Sequence, residues 1–493
     1  MDSIVQALAE QAKRVPDRAA VIADDERMSY RELWEEVQGF AAFLREKGFP
    51  RGARVVVKSA PSLWFPVACL GIHLAGYVHV PLEKTIGPEG MAGIAQELEA
   101  SFLIADLDMD ESLRKAGLAA ACFPSARVRE EARRTYREGL SFAFPEPEDP
   151  CDILFTTGTT GKSKGVIEPH RAVVAVAENV QYGAEIPEDN VYLIPAPINH
   201  ASAIRKLYVS VLTGTTAVLL DGFTDVKRFF SCIEKYHVTS ILMPPAAVRM
   251  MLLLAEKSLA KCAGQLHHIH TGSAAFPEAD KEKLCQILPD TRLYFAYGSS
   301  EAGCVAMYDY SRNRGLISCV GKPNRNAHIF IVDEEGNSIE SSKEHQGLIA
   351  ISGPVLMAGY YHAPELTREV MRDGVVYTND IGYIDEQGFV YVLGRRGDVI
   401  SIGGLKIAPT EVENVVLRYP SVADCACFAV EDRMGGKVPR LNVVLRKGET
   451  LDAAALRAFM GQHLEAFKIP KTIQVVDELP RTANGKLDRK RLK

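Results

Sequence analysis

The sequence predicts an α/β protein in which a large N-terminal domain of layered sheets and helices, β-rich towards its end, precedes a small α+β C-terminal domain. Three observations carry this expectation. Helical and strand patterns alternate through residues 28–100 and again through 150–250, which argues for helix–sheet layers with largely parallel strands. Beyond residue 320 the texture changes to short strands with acidic, glycine-containing turns, a pattern of antiparallel pairing. A glycine-rich stretch near 396–400 then leads into a last unit of ordinary small-domain size. The expected division is 1–397 and 398–493.

Taken in order, the opening MDSIVQALAEQAKRVPDR reads as an amphipathic helix, with Ile4, Leu8 and Ala12 near helical spacing. SYRELWEEVQGFAAFLREKG is a helix stopped at Gly48, and ARVVVKS a short apolar strand. FPVACLGIHLAGYVHVPL gives a helix, a stop at Gly76 and a second strand. DILFTT, a glycine-rich turn, a helix around 169–182, VYLIPAP, another helix, AVLLDG and SILMPP continue the rhythm. HIFIVDEEGNSI, GLIAISG and VVYTNDIGYIDEQGFVYVLGRRGDVI read as antiparallel strands. From 408 onward a helix (PTEVENVVLRY), two strands (DCACFAVE, RLNVVL), a helix (LDAAALRAFMGQHL) and a strand (TIQVVDE) build the small domain.

Composition excludes several classes of function. With 57 Lys+Arg against 63 Asp+Glu, the formal net charge is −6, which argues against a nucleic-acid partner. An apolar fraction of 47% is too high for a disordered chain. No stretch approaches the ~18 unbroken apolar residues of a membrane span, and the charged start lacks a signal-peptide core. The ten cysteines form neither a disulfide framework nor a zinc pattern, and read as thiols of a reducing cytoplasm, the expected location. Cys425 and Cys427 are expected on opposite faces of one strand. His267 is expected on the face opposite His268 and His270, so these three read as structural histidines and not as a metal cluster.

The strongest motif is Leu154-Phe155-Thr156-Thr157-Gly158-Thr159-Thr160-Gly161-Lys162-Ser163-Lys164-Gly165, read as an apolar strand running into a loop and then a helix. Glycines admit backbone N–H groups to an anion, hydroxyls donate hydrogen bonds, and lysine supplies charge to phosphate oxygens. It is not a Walker A loop, because Thr156 stands where that loop requires glycine.

This loop resembles the phosphate-binding signature of the adenylate-forming superfamily: acyl- and aryl-CoA ligases, peptide-synthetase adenylation domains and firefly luciferase. Further segments follow in that superfamily's order. Tyr297-Gly298-Ser299-Ser300-Glu301 resembles its Y-G-x-T-E motif, Tyr377-Thr378-Asn379-Asp380-Ile381-Gly382 its T-G-D motif, and Gly394-Arg395-Arg396-Gly397-Asp398 its hinge. Gly404-Leu405-Lys406-Ile407-Ala408-Pro409-Thr410-Glu411-Val412-Glu413 follows the hinge, and Pro480-Arg481-Thr482-Ala483-Asn484-Gly485-Lys486 resembles the P-x-T-x-x-G-K lysine motif.

The resemblance implies a binding role for Thr156, Thr157, Gly158, Thr159, Gly161 and Lys164 on the phosphates of ATP. It places Gly272, Ser273 and Ala274 against adenine, Tyr297 as the stacking surface, and Gly298 and Ser300 on the same nucleotide loops. Glu301 and Thr160 are expected to hold Mg²⁺, the carboxylate offering hard oxygens. Asp380 suits a ribose diol, reinforced by Arg395. Lys486 is expected to bridge the carboxylate and the α-phosphate and to stabilise charge in the transition state. His200 falls where acyl- and aryl-CoA ligases carry a histidine near the acyl pocket, and no Asp lies in 195–205 to pair with an amino-acid ammonium. Gly403 and Gly404 would line the thiol channel once the mobile small domain has turned about Asp398.

Two departures stand out: Ser163 replaces the usual proline of the loop, and Val399-Ile400-Ser401-Ile402-Gly403 lacks the usual lysine after the hinge. The expected activity is an AMP-forming acid–CoA ligase acting on a small-molecule carboxylic acid, with ATP, Mg²⁺ and coenzyme A. The pocket segments 195–205, 272–276 and 297–305 fit an aryl or modest-length acyl group. Two alternatives are an enzyme loading an acyl carrier protein and a catalytically silent nucleotide sensor.

Overall fold

The computed structural model describes residues 1–105, 122–157, 163–272, 274, 276–402, 405–431, 437–481 and 487–492. Local signals set the first elements. Ser29 caps the helix Tyr30–Glu46, its hydroxyl accepting from the Glu32 amide while the Glu32 carboxylate accepts from the Ser29 amide, a capping box. The helix Trp64–Ala75 is buried along its whole length and stops at Gly76, whose φ of 81° glycine adopts without Cβ strain.

Among the described residues two large sheets form, of fourteen and seven strands. The central strands of the first, Val191–Ile194, Thr216–Leu219, Ser240–Leu242, His268–Gly272 and Arg292–Ser299, pair in parallel, as the helix–strand alternation predicts. Later strands, Cys319–Pro323, His328–Val332, Gly347–Ser352, Val375–Ile384 and Val390–Arg395, pair antiparallel on its far side. In the second sheet Arg54–Ser59, Val78–Glu83 and Pro150–Thr157 are parallel neighbours. The main apolar core lies under the helices between these sheets.

The segment after Thr157 differs from the expected strand–loop–helix. Ser163–Pro169 is a strand pairing antiparallel with Pro150–Thr157, and the helix begins only at His170. The β-branched Val166 and Ile167 lie opposite Leu154 and Ile153, so burial on both faces prolongs the hairpin before the helix starts.

The last part carries its own three-stranded sheet, with Val422–Glu431 and Lys437–Leu445 antiparallel and Thr472–Val475 added in parallel. Its core gathers Ile400, Ile407, Val412, Val416, Leu441 and Leu456. Cys425 and Cys427 both enter that core, which corrects their expected placement on opposite faces: side chains two residues apart share a face. Among the described residues no helix is long and apolar enough to cross a membrane. His268 and His270 are buried while His267 is exposed, as alternation predicts.

Candidate active site

The Y-G-S-S-E segment closes a β-hairpin between Arg292–Ser299 and Gly303–Asp309. Close approach dictates its glycines. A Cβ on Gly298 would stand 1.7 Å from the Gly303 carbonyl oxygen, and one on Gly303 would stand 2.1 Å from Val176 Cγ2. Glu301 therefore sits in a hairpin turn and not at a helix N-terminus. A Cβ on Gly272 would likewise lie 2.6 Å from the Ala296 carbonyl oxygen, which holds the 272–276 segment close beside the strand leading to Tyr297.

Two groups brace the turn from below. Arg205, on the helix Ala201–Thr213, donates to the carbonyls of Ser299 at 3.1 Å and Ser300 at 3.3 Å. The same guanidinium pairs with Glu168 at the end of the hairpin strand, with both side chains almost wholly buried. Burial pushes the Glu168 carboxyl up, against the pull of Arg205. On the other side Tyr360 donates to Glu301 Oε1 at 2.7 Å, and Lys164 Nζ lies 5.3 Å from the Tyr360 ring centre. Lys164, Tyr360 and Glu301 thus share one corner, two of them from the second sheet and one from the first.

At the opposite edge, Asp380 and Arg395 are register partners on neighbouring strands, with Arg395 Nε 3.0 Å from Asp380 Oδ1. Tyr297 donates to Asp380 Oδ2 at 2.7 Å. Burial raises the Tyr297 phenol well above its ordinary range, so it remains a donor at physiological pH. Tyr297 is therefore tied by its hydroxyl as well as offering a ring. Asp380 keeps a side chain 17% exposed, enough to meet a ligand from outside.

His200 holds the N-cap position of Ala201–Thr213, with extended backbone, and is half-buried. Ala274 is half-buried beyond Gly272. The backbones of Thr156 and Thr157 run in the strand Pro150–Thr157 and lead to the loop. Gly158, Thr159, Thr160, Gly161, Ser273, Gly403, Gly404 and Lys486 lie outside the described residues. The structure brings together Lys164, Glu301, Tyr297, Gly298, Ser300, Asp380 and Arg395. Sequence reasoning missed Arg205, Glu168 and Tyr360. A buried Arg and Glu pairing across 37 positions have no local signature, and Tyr360 joins the site only because Gly359–Tyr360 pairs with the Val166–Ile167 step.

The expected hinge residue, Asp398, has a brace of its own. Arg489 lies 3.9 Å from Asp398, donates to both oxygens of Glu413 at 2.8 and 2.9 Å, and to the Cys427 carbonyl at 2.7 Å. The end of the chain is thereby fastened beside the junction.

The donors present suit a nucleotide with its metal. Glu301 offers hard carboxylate oxygens, of which Oε2 has no hydrogen-bond partner among the described residues. Cationic, carboxylate and phenolic groups thus gather on the Tyr297–Glu301 hairpin and the strands beside it. The chain belongs to the family of AMP-binding enzymes: that family's model matches residues 8–361, and the AMP-binding enzyme C-terminal domain matches 411–486. It is 32% identical, over 100% of this chain and 98% of the relative, to 3-[(3aS,4S,7aS)-7a-methyl-1,5-dioxo-octahydro-1H-inden-4-yl]propanoyl:CoA ligase of Mycobacterium tuberculosis. A 2-succinylbenzoate–CoA ligase of Bacillus licheniformis is 29% identical over 98% of each chain. Among solved structures, o-succinylbenzoate coenzyme A synthetase of Bacillus subtilis, in complex with ATP and magnesium, is similar at 26% identity and a TM-score of 0.83, covering 99% of this chain and 98% of that one.

Proposed function

We propose that the protein is an ATP-dependent, AMP-forming carboxylic acid–CoA ligase with a large domain, 1–397, and a mobile small domain, 398–493. The observation that carries this reading is Asp380, gripped by Tyr297 and Arg395 at one end of the Tyr297–Glu301 segment, whose other end gathers Glu301, Tyr360 and Lys164. A ribose at Asp380 then directs the phosphates towards Lys164 and the loop of Thr156, Thr157, Gly158, Thr159, Thr160 and Gly161. Glu301 and Thr160 would hold magnesium, which would supply charge neutralisation on the phosphates.

In the first step a carboxylate oxygen of the acid bonds to the α-phosphorus as the bond to pyrophosphate breaks. Lys486 relieves the repulsion between these anions, and His200 lies beside the acid. In the second step thiol sulfur bonds to the acyl carbon, the thiol proton is released, and AMP leaves. Gly403 and Gly404 border the thiol's path. No side chain serves as a covalent nucleophile, so catalysis consists of positioning and charge stabilisation.

The relatives named above act on ring-bearing acids, which supports an aryl or other cyclic carboxylic acid here. A panel of such acids, assayed for acid-dependent AMP release with free CoA, tests the proposal. AMP release without any thioester on CoA, combined with acyl transfer to a holo carrier protein, would replace CoA by a carrier as acceptor. A chain that binds ATP but releases no pyrophosphate with any acid would be the silent sensor instead.

A further inference from the structure

On the strand Pro150–Thr157, where Asp152 lies opposite Glu168, six polar side chains converge inside the main apolar core. Cys69 and His73 come from Trp64–Ala75, His79 from Val78–Glu83, Cys151 and Asp152 from Pro150–Thr157, and Tyr208 from Ala201–Thr213. All six are fully buried. Placing a carboxylate in such a core is costly unless something compensates its charge.

The geometry is that of a ligand set. Cys69 and His73 stand four apart on one helix and so share a face. His79 and Asp152 are register partners on adjacent strands. His73 Nε2 lies 3.2 Å and His79 Nδ1 2.9 Å from Asp152 Oδ1, and Cys69 Sγ lies 4.0 Å from His73 Nε2. The four donor atoms of Cys69, His73, His79 and Asp152 all fall within 4.8 Å of one another. A tetrahedral zinc ion with bonds of about 2.0–2.3 Å sets donor–donor edges of about 3.3–3.8 Å, so the side chains need shift by less than about 1 Å to enclose one.

We propose that Cys69, His73, His79 and Asp152 form a structural zinc site that staples the helix Trp64–Ala75 to the two strands beneath it. One thiolate, one carboxylate and two neutral imidazoles cancel the charge of a divalent cation, leaving a neutral core. The Cys69 thiol proton is exchanged for the metal and passes to solvent as the site loads during folding. Sulfur, imidazole and carboxylate donors with no open position match zinc in a structural role. Around the ligands, Tyr208 donates to Asp152 Oδ2 at 2.7 Å and lies 3.1 Å from Cys69 Sγ, while Cys151 Sγ lies 3.3 Å from His73 Nε2. These neighbours orient the ligands.

The test is the metal content of the full chain, purified without chelator from cells supplied with zinc. About one zinc per chain is expected, and under roughly a tenth of that in Cys69→Ser combined with His73→Asn, while the control Cys262→Ser keeps its zinc. Growth in cobalt should give the unaltered chain a thiolate-to-metal absorption band, a readout that needs no variant to fold. Stripping the metal should lower the melting temperature. An unaltered chain holding under roughly a tenth of a zinc and showing no cobalt–thiolate band would overturn the proposal, as would full zinc retention in the double variant.

Discussion

At the scale of single residues, the tie between Tyr297 and Asp380 links the hairpin of the Glu301 turn to the strand of Asp380, the carboxylate proposed to meet ribose. Removing the hydroxyl in Tyr297→Phe leaves the ring in place but frees Asp380 Oδ2. A hydrogen bond to a charged group is worth about 1.5–3 kcal/mol, so the KM for ATP should rise roughly tenfold or more. Steady-state kinetics decide this, and an unchanged KM would separate Asp380 from the nucleotide. Lys206 poses a different question. It is buried next to His270 at 3.3 Å, with no carboxylate within ion-pair distance among the described residues, and burial lowers its ammonium from 10.5 to about 8. Because the folded pKa is below the unfolded one, the unfolded chain binds more protons between these values, and stability rises with pH across the window from about 8 to 10.5. Lys206→Met lacks this gain, so its stability relative to the parent should fall by on the order of 3 kcal/mol from pH 7 to pH 10.5. Urea titrations at both pH values measure the difference, and a constant offset would refute the assignment.

Among elements, the helix Ala201–Thr213 works through Arg205, which clamps the turn carbonyls of Ser299 and Ser300 and neutralises Glu168. Arg205→Ala leaves Glu168 buried without its cation, an arrangement that costs about 3–5 kcal/mol. Adding Glu168→Gln to that variant removes the stranded charge. The double variant should then be more stable than Arg205→Ala alone, while its activity stays low because the Glu301 turn is still unclamped. Thermal melts and AMP-release rates read the two effects separately. If the second substitution recovers activity along with stability, the clamp on the carbonyls is not what matters.

For the whole molecule, the consequential feature is a small sheet with its own core, fastened beside the junction by Arg489. The proposed alternation gives the two half-reactions different requirements. Lys486→Ala should slow adenylate formation by roughly 10²–10³, the scale of losing one electrostatic donor. Synthetic acyl-adenylate with CoA should still be converted by this variant at a near-normal rate. Rapid-quench measurements of each half-reaction distinguish this from a uniform loss, which would remove Lys486 from a step-specific role.

The sequence by itself determined the order of elements, the parallel and antiparallel halves and the family. Those properties rest on local periodicity, on caps such as Ser29 with Glu32, and on motifs whose members stand close together, as Tyr297 to Glu301 do. Only the tertiary structure decided that the strand Ser163–Pro169 precedes the helix from His170, since that choice depends on packing of Val166 and Ile167 against a neighbouring strand. It alone joined Arg205 to Glu168 and Tyr360 to Glu301, and gathered Cys69, His73, His79 and Asp152 from three elements into one cluster. A sequence pattern encodes what a residue does to its immediate neighbours. Partners brought together by the packing of separate helices and strands leave no fixed spacing to read.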